Sequence, residues 1–255
     1  MNGVEAVILL VAGLGAGLVN AIAGGGSLIT FPSMLAIGMP PVAANVSNAL
    51  SVAPGYASSV VASRADLAGQ RGRVLRVVPT ALLGALCGCA LLLNTPRDVF
   101  DFVVPFLVIG AALTLAFQGR LRALVGHPRE VSARRATVML HTAVFLCALY
   151  GGYFNAALGV LLVAGLALVL DERLPRVNAL KNLLSAVIGV VTILIYSAFG
   201  PVNWAAVGVI APATIVGGFL GARVARRLPA PVLRAVIVAF GLTVGTYLLV
   251  RALQG

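Results

Sequence analysis

The chain has 255 residues, 60% of them hydrophobic and only 10% charged, with a formal net charge of +11. That balance excludes an ordinary soluble domain, whose helices would carry polar stripes at 3.6-residue spacing. The positive charge does not point to nucleic acid either, because nearly all the basic residues sit between or at the ends of apolar runs and no basic patch interleaves with stacking aromatics.

Apolar segments are expected at 4–22, 27–38, 42–63, 73–94, 99–117, 136–152, 157–170, 177–198, 203–225 and 231–251. At 1.5 Å per residue the longer ones cross roughly 30 Å of hydrocarbon. The expected fold class is therefore all-α, a polytopic membrane protein in the lipid bilayer. The first segment ends past Asn20 at a glycine break, Gly24-Gly25-Gly26, and Ser27 opens a short second segment. Irregular backbone at membrane depth is tolerated only where it is buried or lines a cavity. Successive amides beside a helix amino end make a cradle for an anion. The third segment carries Asn48 and Ser51, then Pro54-Gly55, which can kink it beside a pathway. Tyr56 there, like Trp204, reads as an interfacial anchor or a pathway wall.

Gly84 and Gly88 in the fourth segment, and Gly217 and Gly221 in the ninth, mark close helix crossings within the chain rather than between subunits, leaving a homodimer open. Cys87, Cys89 and Cys147 lie in apolar runs and read as small filler, so no metal, cofactor or disulfide is expected. Residues 118–135 form a polar linker, expected to be cytoplasmic, between membrane repeats at 1–117 and 136–255. His141 follows the linker as a hydrogen-bonded core histidine or a proton carrier. A second break runs from Gly151-Gly152 through Asn155 to Gly159 and precedes the short seventh segment. In the eighth, Asn178, Lys181, Asn182 and Ser185 fall at i, i+3, i+4 and i+7 on one helix face. Lys181 is the sole lysine. An intramembrane cation suggests a functional site, unless it snorkels to Asp171 or Glu172.

The chain repeats itself. Pro79, Gly84, Gly88 and Pro96 recur 133 residues on as Pro212, Gly217, Gly221 and Pro229. Asn48 and Ser51 recur as Asn182 and Ser185, and Asn20 recurs as Asn155. If each broken pair counts as two segments, the halves are inverted and 15 of 17 arginines fall on one side, leaving Arg97 and Arg251 outside with both termini. Counting each pair as one gives parallel halves and only 10 on that side. The positive-inside bias favours the inverted arrangement. Inverted repeats place a site at their interface, near the bilayer midplane. The acidic residues, Glu5, Asp66, Asp98, Asp101, Glu130, Asp171 and Glu172, all lie at or near segment ends. A site of glycine amides, hydroxyls, carboxamides and one lysine suits a small anionic substrate. Neither histidine has a carboxylate partner at helical spacing within an apolar segment, so nothing supports an enzyme.

The order of Gly13–Gly26, Ser27–Pro32, Ala43–Leu50, Pro79–Gly88, Gly151–Gly159 and Asn178-Ala179-Leu180-Lys181-Asn182 resembles the sulfite exporter TauE/SafE family over about residues 8–250. The resemblance implies a bacterial inner-membrane secondary transporter for sulfite, thiosulfate, a sulfonate or a related organic anion. It puts weight on Gly24–Gly26 and Asn178–Asn182. Asn155-Ala156-Ala157-Leu158-Gly159 is poorer in glycine than the family's second break, which puts a symmetrical second cradle in doubt. The expected site comprises Asn20, Gly24, Gly25, Gly26, Ser27, Asn48, Asn155, Asn178, Lys181 and Asn182, worked by alternating access. Proton coupling would run through Lys181, His141 or the substrate's own proton. A passive anion channel is the alternative.

Overall fold

The computed structural model describes residues 1–22, 25–117, 119–120, 132–170, 172–224 and 230–254. Among them lie ten α-helices and no strand. The first five are α1 Gly3–Ile22, α2 Ser27–Ala36, α3 Pro41–Ala62, α4 Arg71–Asn94 and α5 Arg97–Ala116. The second five are α6 Ala133–Tyr153, α7 Leu158–Ala167, α8 Leu174–Phe199, α9 Trp204–Val224 and α10 Ala230–Gln254. The ends follow local chemistry. Pro41 opens α3 in the first turn, where its missing N–H costs nothing. α2 stops at Gly38, whose φ of +85° a side chain would disfavour and whose N–H closes on Leu35 O at 2.9 Å. α2 and α7 have 10 residues each, so each reaches only about 15 Å, half the hydrocarbon.

Among the described residues five helices are long and apolar enough to cross a membrane, namely α1, α4, α5, α6 and α8. The 22-residue α3 is not among them. Asn45, Ser47, Asn48 and Ser51 make it too polar, and all four are buried instead. Large apolar side chains such as Leu83, Phe102, Phe106, Leu194 and Phe219 are exposed, which suits contact with lipid rather than water.

The packing is unchanged in pattern when the first five helices are exchanged with the second five. α1 lies along α9, and α4 along α6; α3 crosses α8, and α5 crosses α10. Direction can be read from the close approaches. A Cβ on Gly13 would stand 2.8 Å from that of Ala213, and one on Gly17 would run into Thr214 O and the Gly218 amide, so α1 and α9 are parallel. Gly84 against Ala148 and Gly88 against Gly152 make α4 and α6 parallel as well. The central pair runs the other way. Gly189 meets Ala53, Gly200 meets Val46 and Asn182 meets Ser59, so α3 and α8 are antiparallel. Gly241 meets Ala112 and Gly245 meets Ile109, so α5 and α10 are antiparallel too. The crossings expected at Gly84, Gly88 and Gly217 are thus internal, each admitting a neighbouring backbone that a side chain would displace.

Candidate functional site

The break between α1 and α2 is held by its own carboxamide. Asn20, in the last turn of α1, accepts the Gly26 N–H on Oδ1 at 2.9 Å. Gly26 has an ordinary helical φ of −61°, so space rather than conformation demands glycine. A Cβ there would collide with Ala16 O and stand 2.8 Å from Asn20 Nδ2. One on Gly25 would press Leu115 at 3.0 Å. Gly24 lies outside the described residues.

Ser27 and Thr30, on the first turn of α2, are both buried. The Thr30 hydroxyl donates to Asn48 Oδ1 across to α3. Asn48 is fully buried, and its Nδ2 has no hydrogen-bond partner; nor does the buried Nδ2 of Asn20. A buried amide without a partner costs about 1–3 kcal/mol, and such atoms normally find one. Two carboxamides thus offer N–H groups at the positive end of one half-helix.

The second break is built differently. Asn155 and Ala157 turn the chain at φ of +64° and +54° without glycine. Its carbonyls are taken up by side chains: Tyr196 donates to Gly152 O, Asn45 Nδ2 to Tyr153 O at 2.8 Å, and Tyr150 to Ala156 O at 2.7 Å. Phe154 fills the corner and meets Phe31 of α2 edge-on at 5.2 Å. The two breaks approach each other at Tyr56, which is 6% exposed. Its hydroxyl donates to Asn155 Oδ1 at 3.5 Å, and Ser27 stands close to the same phenol.

The polar face of α8 lies elsewhere. Asn182 Nδ2 donates to Ser63 Oγ at 3.0 Å and to Ser59 O at 3.4 Å. Ser59 is eleven residues along α3 from Asn48, roughly 16 Å at the helical rise. Lys181, 7% exposed, sits beside Asn182 and already has an interaction partner. Asn178 is exposed. Around them Glu172 bridges Arg73 at 3.1 Å and Arg176 at 2.9 Å, while Gln70 Nε2 donates to Arg176 O at 3.1 Å. Asp171 lies outside the described residues. The structure therefore brings Asn20, Gly25, Gly26, Ser27 and Asn48 together, with Asn155 reached through Tyr56. It groups Asn178, Lys181 and Asn182 at the other end of α3.

His141 Nδ1 meets Thr80 Oγ1 at 2.6 Å between α6 and α4, a tie within one parallel pair. Trp204 is 60% exposed and Tyr56 buried, so the two aromatics that the sequence left together separate into a surface residue and an interior one. Thr30, Asn45, Tyr150 and Tyr196 carry no spacing signal. Only their contacts with the breaks identify them.

No solved structure matches the chain closely enough to be significant. The family described as Sulfite exporter TauE/SafE matches residues 9–248. A probable membrane transporter protein, ORF9, of Sinorhizobium is 30% identical over 86% of this chain and 81% of its own length. The probable membrane transporter protein YfcA of Escherichia coli K12 is 29% identical over 84% of this chain and 76% of its own. A probable membrane transporter protein of Haemophilus influenzae is 25% identical over 91% and 89%. With spans of membrane length and a match over almost its whole extent, this multi-pass membrane protein belongs to the sulfite exporter TauE/SafE family of transporters.

Proposed function

We propose that the chain is a secondary transporter that moves a small oxyanion, such as sulfite, thiosulfate or a sulfonate, across the bacterial plasma membrane by alternating access. The anion sits at the amino end of α2. The observation that carries this is the pair of unpartnered carboxamide donors, Asn20 Nδ2 and Asn48 Nδ2, beside that end. They are N–H groups waiting for an acceptor, and the family's name supplies an acceptor of suitable size. Glu172, at the α8 cluster, is already shared between two arginines toward the other end of α3.

Alternating access draws support from the packing. Antiparallel α3–α8 and α5–α10, with parallel α1–α9 and α4–α6, fit two inverted five-segment halves. The eight-crossing count would make α3 and α8 parallel. The two ends of α3 also differ. At its carboxyl end Asn182, Ser63, Gln70, Arg73, Glu172 and Arg176 tie the two sets of helices together. At its amino end a cleft of about 410 Å³ opens between Val42, Leu92, Thr95, Arg97, Phe199 and Pro201. Ties at the arginine-rich end and a surface cleft at the other suit one of the two states that rocking requires.

The test is flux into proteoliposomes of sulfite, thiosulfate, methanesulfonate and acetate, with and without an imposed pH gradient. Saturable uptake of at least one sulfur oxyanion, preferred over acetate, is expected, and a gradient effect identifies proton coupling. Uptake of cations alone contradicts the reading.

A further inference from the structure

We propose that Tyr56 is a substrate-binding residue, its hydroxyl donating to the transported anion and releasing Asn155 as it does so. This rests on the anion reading of the α2 amino end and adds to it a contact shared by both sets of helices. Tyr56 stands where α3 crosses α8, its ring 3.7 Å from where a Cβ on Gly189 would be. The phenol stands between the two breaks: it bonds Asn155, held at φ +64° just ahead of α7, and lies close to Ser27, which opens α2.

The bond to Asn155 is a poor one. At 3.5 Å it lies at the outer limit of hydrogen bonding, although the phenol is 6% exposed and a buried tyrosine hydroxyl usually finds a close partner. A charged oxygen is a stronger acceptor than a carboxamide. When an anion enters beside Ser27, the hydroxyl turns about its C–O bond from Asn155 to the anion. No covalent bond changes. Ser27 reaches the same oxyanion with its own hydroxyl, so the donors number four: the Asn20 and Asn48 carboxamides, Ser27 and Tyr56. Asn155 belongs to the second set of helices and Tyr56 to the first, so occupancy loosens a contact across the α3–α8 crossing. That is where a rocking motion would have its axis.

Two variants cut the same bond from opposite ends. Tyr56→Phe keeps the ring, and Asn155→Gly keeps a residue that accepts positive φ. KM is measured in proteoliposomes for whichever of sulfite, thiosulfate, methanesulfonate and acetate the wild type takes up at lowest KM. Tyr56→Phe is expected to raise KM about tenfold, the loss of one hydrogen bond to a charged acceptor. Asn155→Gly is expected to lower KM, because the resting acceptor is gone. An equal rise in both would make the bond a structural pin and overturn the proposal, as would an unchanged KM in Tyr56→Phe. Asn48→Leu, run alongside, separates the two readings. If it raises KM while Tyr56→Phe does not, the α2 site stands and the role of Tyr56 falls; if neither does, both fall.

Discussion

Each residue at the α2 amino end has a distinct task. Asn20 fixes the break by holding the Gly26 amide, Thr30 orients Asn48, and the unpartnered carboxamide N–H groups are those that the proposed function assigns to the anion. Asn20→Leu removes both functions and is expected to lose transport and some stability. The glycines that let helices touch act only on stability. Gly88→Leu would push a side chain into Leu149 O and the Tyr153 amide, and overpacking of this kind costs about 1–3 kcal/mol or more. A lower unfolding temperature in detergent is the expected result, and an unchanged one would contradict the close crossing. At this scale the sequence was informative where a residue type has one main use. The consecutive glycines and Asn20, Ser27 and Asn48 stand out as candidates because such residues are costly in hydrocarbon unless employed, and the structure groups Gly25 and Gly26 with those three. Tyr56 could not, since a membrane tyrosine serves equally well as an interfacial anchor. Thr30 and Tyr150 could not, since their importance lies in which carboxamide or carbonyl they meet.

Among the elements, α8 departs most from its expected part. Its residues Lys181, Asn182 and Ser185 share a buried face, as the i, i+3, i+4, i+7 pattern implies, but an antiparallel partner carries that face to the end of α3 opposite Asn48. One-dimensional spacing fixes which face of a helix is polar. It does not say which end of the neighbour that face meets. We read the cluster as an inner latch. Its ion pairs join side chains 22–36% exposed, and pairs so placed contribute about 1 kcal/mol or less each, weak enough to part and reform. Glu172→Gln and Asn182→Ala should therefore open that end. Ser185 lies deeper on the same face, with a buried, unpartnered hydroxyl. In a chain whose Cys87 and Cys147 are replaced by alanine, Ser185→Cys should react faster with a membrane-impermeant thiol reagent from the arginine-rich side once Glu172 is neutralised. No change in rate would remove the latch. The short elements α2 and α7 were legible from their glycine breaks. Their inequality emerged only in part, as a shortage of glycine in the second break; the tyrosine and asparagine side chains that close it had to be seen.

Across the whole molecule, the orientation we propose rests on arginine placement and the packing directions together. Fifteen of 17 arginines fall on one side only if the two halves are inverted. Ala68→Cys and Arg173→Cys should then be labelled from the cytoplasmic face alone, since Gln70 and Arg176 already meet at one end of the bundle. Labelling from opposite faces would restore the eight-crossing count. Gly84 and Gly88 meet α6 and Gly217 meets α1, so these glycine surfaces are occupied within the chain.

The central claim is that an anion binds at the amino end of α2 and is carried by a site that faces each side in turn. Accelerated exchange tests it most directly: proteoliposomes are preloaded with the preferred anion of the panel, and entry of its labelled form is followed in wild type and Asn48→Leu. Entry in the wild type should be faster into loaded than empty vesicles, with Asn48→Leu raising the half-saturating concentration tenfold or more. Entry that ignores the internal anion, at a rate proportional to concentration in both proteins, would contradict it.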